Sequence, residues 1–410
     1  MKISSVPLEL RLPSYKKTLL CRFEAEFAED EKITIHLKLP ASVAFAEQDA
    51  KAQLMMPDGL PLNCRFDGLH IISSKAFCEV KLVPFISPIA LSAHDGLRQL
   101  SAIVYNFGDR KLYRTKRRLL LRDGAWQFEL IAASDITVCL LPELQSQIYR
   151  ATHYLSLVCS DGRQFSSVEA QERLTEMQRF LSFCHGQQVG VGFATGLDVR
   201  GEKVFDLVGM GRVDRYTDGE NWLDRHGSEY LPDLYPKFLA KIRSLEWDDC
   251  FRIATYWGAR ANTNYTGPDG GLILLQTALE RLAWDVLTNK MHGNLSARKA
   301  GELGVSGRLR LVLERFKIPT TIPPPLSEVA ILAKSEGWTD GPEAFVKIRN
   351  ELVHPRRRIN SSRLPYYQAY VLGKWYLELV LLALLGYRGD YSNRTRLIRW
   401  VGETEAVPWA

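Results

Sequence analysis

Near its C-terminal end the chain places Arg349, Asn350 and His354 within the run Lys-Ile-Arg-Asn-Glu-Leu-Val-His-Pro, residues 347–355. A guanidinium, an amide and an imidazole are groups that handle phosphate. The first stabilises anionic oxygens, the second orients a neighbour, and the third moves protons near neutral pH. Arg356, Arg357 and Arg358 follow at once and either place cations beside His354 or stand as three solvated arginines in a loop. At 100° per residue, Phe345, Val346, Ile348, Leu352 and Val353 fall on one arc of a helix, with Arg349 in its middle. A guanidinium inside an apolar stripe stays charged, so it must meet a carboxylate, a phosphate or trapped water. An acid of a neighbouring helix, such as Glu280, is the structural alternative to phosphate. His354 is either a cap on the negative end of the helix or a proton-transfer group.

The helix that carries these residues is predicted from Pro342 to His354. Asp340 or Gly341 can start it, Pro342 suits the first helical position, and Glu343 is favourable in the first turn. Pro355 ends it by disfavouring α conformation in the residue before it. From about residue 231 the chain reads as amphipathic helices, with candidates at 236–261, 271–291, 305–316, 326–336 and 364–385. The breaks are TNYTGPDGG (263–271) and IPTTIPPP (318–325). Helices with short connections predict an all-α bundle.

The first 145 residues instead alternate short apolar runs with turn signals, at 32–39, 68–73, 77–85, 100–124 and 125–133. That pattern predicts a β-rich, sandwich-like or barrel-like domain. The stretch 110–122 is basic as well, and reads either as a second anionic contact or as an exposed charged strand. A helix is expected over 166–185, opened by a Ser166/Glu169 capping box. The runs QQVGVGFATG and EKVFDLVGMGRV then read as paired strands. Gly190 and Gly192 do not make a phosphate loop, since no helix and no Lys-Ser/Thr follow; they mark a strand passing close to other backbone. The fold class is thus α+β: a β-rich domain (1–145), an α+β extension or linker (146–230), and an all-α domain (231–410).

The 410 residues are 46% hydrophobic and 24% charged, as in a soluble globular protein. The net charge is +6, but residues 347–399 hold 11 Lys or Arg against 3 acids, which is +8 and leaves the remainder at −2. Such a local positive field would draw a polyanion toward the C-terminal end, unless the window is an arginine-rich solvated face. Seven cysteines, an odd number with no C-x-x-C pair, argue against a disulfide framework or a zinc site and for reduced thiols in the cytoplasm. No acid-rich or His/Cys cluster points to a metal, and no cofactor is expected. The N-terminal residues lack the apolar core of a signal peptide. The run 377–387 is too short for a membrane span and contains Glu378, so it reads as a buried helix.

The run KIRNELVHP resembles the R-x4-6-H signature of HEPN domains, including the polar residue after the arginine. More narrowly, the stretch 270–358 resembles the Apea-like HEPN family, on QTALERLAW, RLRLVLERF, the IPPP linker and EAFVKIRNELVHP. The tail YSNRTRLIRWVGETEAVPW is similar to the ends of such proteins. The loose pattern also fits Arg65–His70 and Arg179–His185, but Gly68 interrupts the first and an apolar Phe180 follows the arginine in the second.

The resemblance implies an HEPN helical bundle and a metal-independent endoribonuclease in anti-phage or toxin-type defence. In that chemistry His354 would act as general base or acid. Arg349 would stabilise the charged phosphorane, and Asn350 would orient the imidazole or the phosphate. Arg356–Arg358 would bind RNA. Such modules work as homodimers with two motifs facing each other, so a partner copy would supply a second catalytic group. The β-rich half could be a sensor for a phage-derived or nucleic-acid trigger, an inhibitor, or a scaffold. The alternative is a non-catalytic HEPN module for dimerisation or nucleic-acid binding.

Overall fold

The computed structural model describes residues 2–12, 15–27, 33–40, 51–55, 61–71, 77–84, 89–90, 94–108, 118–133, 150–216, 221–224, 227–263, 265–288, 293, 295–354, 364–396, 400 and 402–410. For the first six strands it is the backbone that is described. These are β1 (Lys2–Leu12), β2 (Tyr15–Phe27), β3 (Ile33–Pro40), β4 (Lys51–Met55), β5 (Pro61–Ile71) and β6 (Phe77–Pro84). They close into an antiparallel barrel of order β1-β2-β3-β6-β5-β4. Pairing of Leu10 with Leu54 joins β1 to β4 and removes the sheet edges.

Next come β7 (Ile89–Ala90), β8 (Gln99–Tyr105), β9 (Arg118–Asp123), β10 (Trp126–Ala132), β11 (Ala151–Cys159), helix α1 (Ser167–His185), β12 (Gly190–Leu197) and β13 (Lys203–Met210). The helices that follow are α2 (Leu231–Ile242), α3 (Asp248–Ala261), α4 (Gly267–Thr288), α5 (Ala297–Glu302), α6 (Gly304–Arg315), α7 (Ser327–Glu336), α8 (Gly341–Val353) and α9 (Tyr366–Leu384). Two short strands, β14 (Asp390–Tyr391) and β15 (Glu405–Ala406), pair in the tail. The chain is therefore mixed α and β, with an antiparallel sheet before a helical C-terminal region. It divides into two compact units: residues 1–109, 124–178 and 189–216, and residues 110–123, 179–188 and 217–410.

In the first unit the second sheet runs β7-β13-β12-β8-β11-β10. Alternating burial along β8 puts Leu100, Ala102 and Val104 inside, as period-2 patterning requires. The capping box at the start of α1 is reciprocal. The Ser166 amide donates to Glu169 Oε2 at 2.8 Å, and the Glu169 amide donates to Ser166 Oγ at 3.1 Å. The run 190–210 is the expected strand pair, and Gly192 has a steric reason to be glycine. A Cβ there would lie 2.1 Å from the Gly209 carbonyl oxygen.

In the second unit the expected helix 236–261 is two helices. The chain turns on Ser244, whose carbonyl accepts from the Trp247 and Asp248 amides at 3.0 and 2.8 Å. That turn buries Trp247 under the Lys241 ammonium and places Asp248 and Asp249 on the first turn of α3, where a helix favours acids. Around α2 and α3 an aromatic cluster of Phe180, Phe183, Tyr235, Phe238 and Phe251 keeps ring centroids 4.9–6.4 Å apart. The centre of the unit is α9, buried on nearly every face, as its apolar run predicts. Among the described residues no helix is long and apolar enough to cross a membrane.

One buried group makes the first unit sensitive to acid. His153 on β11 is fully buried beside Phe107, and neither ring nitrogen has a hydrogen-bond partner among the described residues. Burial pushes its imidazole from 6.5 down to about 3, so the fold holds it neutral. Below the unfolded value, the unfolded chain binds a proton that the folded chain refuses. Stability attributable to this residue then falls by about 1.4 kcal/mol per pH unit as acid is added. Denaturant titrations of wild type and His153→Phe between pH 6.5 and 4 should show that excess slope in wild type alone. Parallel slopes would mean that the ring charges inside the fold.

Candidate active site on helix α8

The helix that carries Arg349 is started and held by short-range chemistry. The Asp340 side chain accepts from the Glu343 amide at 2.9 Å as the N-cap. Glu343 answers by accepting from Thr339 N and Oγ1 at 3.0 and 2.9 Å, and that amide contact holds its carboxyl below the usual range. Arg310 of α6 reaches across and pairs with both oxygens of Asp340. Pro342 occupies the first turn, as the sequence predicts, and His354 is the C-cap, its amide donating to the Asn350 carbonyl at 2.7 Å.

Two glycines let α8 lie close to α9. A Cβ at Gly373 would sit 2.3 Å from the Phe345 ring, and one at Gly341 would meet the Tyr376 hydroxyl at 2.1 Å. Hydrogen at these positions seats Phe345 fully in the core and brings the first turn of α8 against Tyr376. Ala344, Phe345, Val346 and Ile348 are buried accordingly. The expected apolar arc does not extend to the end of the helix, however. Leu352 is half-buried and Val353 is 38% exposed. The stripe runs out at the last turn because α8 ends at the surface, and Arg349 stands where it does so.

Arg349 is half-buried. Its Nε is buried with no hydrogen-bond partner among the described residues, while Nη1 donates to Asn350 Oδ1 at 3.3 Å. The acid proposed as its structural partner is engaged elsewhere: Glu280 accepts from Arg308 Nη2 at 2.8 Å. The structure thus brings Arg349 and Asn350 together. It does not bring His354 to them by a side-chain hydrogen bond; the imidazole is exposed past the helix end, where φ −128° and ψ 68° leave the helical path. Arg356, Arg357 and Arg358 lie outside the described residues. Of the other patterned pairs, Arg179 is exposed while His185 is buried on the same helix, so they do not converge. Arg65 and His70 lie on β5, where only the backbone is described.

The positive C-terminal window is also less free than its count of charges suggests. Arg394 is buried and forks onto Glu378, Lys374 is buried beside them, and Arg396 pairs with Glu403 and Glu405. Sequence counting cannot see this, because Glu403 and Glu405 lie beyond the basic window and Glu378 is one of only three acids within it. Sequence reasoning also missed Tyr366 at the start of α9. Its phenol is pushed up by burial, then by the charges of Asp269 and Glu351.

Residues 98–219 match a family described as the YopA central domain, and residues 244–406 match one described as the YopA C-terminal domain. The SPbeta prophage-derived uncharacterized protein YopA of Bacillus subtilis (strain 168) is 29% identical over 263 residues. The alignment covers 64% of this chain and 58% of that protein. No solved structure matches.

The cap that starts α8 can be tested directly. Asp340→Ala removes both the cap and the Arg310 pair, and should cost about 1–2 kcal/mol in urea unfolding with an unchanged m-value. A midpoint equal to wild type would show that α8 is positioned by its core contacts alone. The matched regions, central and C-terminal, make this chain similar to YopA over the sheet and the helical segment that carries Arg349.

Proposed function

We propose that the helical C-terminal region is an HEPN-type module and that α8 carries a metal-independent endoribonuclease site. The observation that supports this best is the state of Arg349. A half-buried guanidinium with an orphaned Nε, at the edge of an apolar stripe and with its candidate acid taken by Arg308, is suited to an anionic oxygen from outside. In the reaction, the ribose 2′-OH attacks the adjacent phosphorus and the bond to the 5′ oxygen breaks. The products are a 2′,3′-cyclic phosphate and a 5′-OH end. One group takes the 2′ proton and another gives a proton to the leaving oxygen; His354 fills one of these roles. Arg349 stabilises the non-bridging oxygens. Asn350 already holds Nη1 of Arg349, and so orients the guanidinium rather than the imidazole. Arg356–Arg358 would track flanking phosphates. One imidazole per chain leaves the second proton-transfer group to a partner copy, so the active form is a homodimer. Similarity to a prophage-derived protein fits a role at the interface of phage and host, whether defence or toxicity.

A second reading, a non-catalytic module that binds nucleic acid or a partner, draws support from a different observation. Among the described residues the His354 side chain makes no hydrogen bond that would fix it beside Arg349, and Arg394 and Arg396 of the basic window are already paired. Labelled RNA incubated with the purified chain in EDTA separates the two. The nuclease yields cyclic-phosphate ends, and both Arg349→Ala and His354→Ala lower the rate by about 100-fold or more with circular dichroism unchanged. Intact RNA under these conditions, or wild-type cleavage by His354→Ala, removes the site assignment.

A further inference from the structure

A cluster of buried charge lies on α9. Lys374 and Glu378 stand one turn apart on α9, and both are buried. The Glu378 carboxylate takes the fork of Arg394, with Nη2 to Oε1 at 2.8 Å and Nε to both oxygens at 3.2 Å. Lys374 Nζ stands further off, 3.9 Å from Oε1, and donates instead to the Gly258 carbonyl on α3 at 3.1 Å. A Cβ at Gly258 would lie 2.9 Å from Leu377, so α3 and α9 pass close to one another there. Two buried cations therefore share one carboxylate, and the arginine has the better claim to it.

Lys374 also lines a pocket of about 30 Å³ together with Glu378 and Gly258, with Ser182, Asn221 and Thr255 as further polar walls and Trp222 and Leu377 among the apolar ones. We propose that this pocket binds a compact oxyanion, of sulfate or carboxylate size, with Lys374 Nζ as its charged contact. The physical reason is charge balance. An ammonium held in low dielectric with only a distant share of a carboxylate either sheds its proton or acquires a counter-ion. Burial first, then Arg394, push Lys374 down to about 7 against the pull of Glu378. These are the charged groups that act on it among the described residues, and from α3 it meets the Gly258 carbonyl. An anion in the pocket supplies the missing charge, so binding restores the proton. The proposal stands independently of the nuclease reading.

Proton linkage separates this site from adsorption on surface arginines. The full chain would be titrated calorimetrically at pH 8 with sulfate and with acetate, neither of which titrates there, in two buffers of different ionisation enthalpy. Wild type should bind saturably and take up close to one proton per anion. Lys374→Arg, which keeps the charge but has nothing to titrate, should bind without proton uptake. Lys374→Met should lose saturable binding while its circular dichroism stays that of wild type. Proton-neutral or absent binding in wild type, or unchanged binding in Lys374→Met, overturns the proposal. Should Lys374→Met fail to fold, the proton count of wild type against Lys374→Arg still decides it.

Discussion

A helix buried on almost every face can carry charge only where each charge is met, and α9 sets that condition for the helical unit. Its apolar residues would drive it inward from any starting arrangement. Lys374 and Glu378 then dictate what must come to it: Arg394 from the tail and the Gly258 carbonyl from α3. Breaking such a buried pair costs about 3–5 kcal/mol, because the remaining charge is stranded. The tail is drawn in by the same need. Tyr391 takes the Trp375 indole and gives its own proton to Glu405, tying β14 and β15 to the central helix. Tyr391, Arg394, Thr395 and Val407 of the tail are buried as a result.

The placement of α8 depends on α9 in turn. Hydrogens at Gly341 and Gly373 allow contacts that any side chain would block, and Phe345 fills the space so made. With the buried half of α8 fixed, the exit angle of its last turn follows. Arg349 lies at that exit with its Nε buried and its Nη1 on Asn350. A side chain wholly inside would have demanded an acid, and one wholly outside would carry no information. The boundary position is what makes it a candidate for phosphate.

Local features of the candidate site were legible from the residues. The start of α8, its proline, its first-turn acid and its C-terminal stop all follow from interactions within four residues, and they stand where the pattern puts them. The capping box of α1 and the strand pair 190–210 are legible for the same reason. The expected helix over 236–261 failed at Ser244, where burial of Trp247 outweighs helical continuity. The β-rich start was legible as strands, but alternation of apolar residues says nothing about closure. Whether six strands make a sandwich or a barrel depends on which edges meet, and here β1 meets β4.

What the sequence determined alone is therefore the caps of α1 and α8, the strand pair 190–210 and most of the C-terminal helices, because propensity, capping and periodicity act over a few residues. What only the tertiary structure decided is the partner of each charge. Glu280 chose Arg308 on another helix rather than Arg349, and Lys374 chose a carbonyl 116 residues away. Attraction between charges falls slowly with distance and is indifferent to chain position, so a sequence offers several partners of equal merit. Packing chooses among them by bringing one within reach and burying the rest.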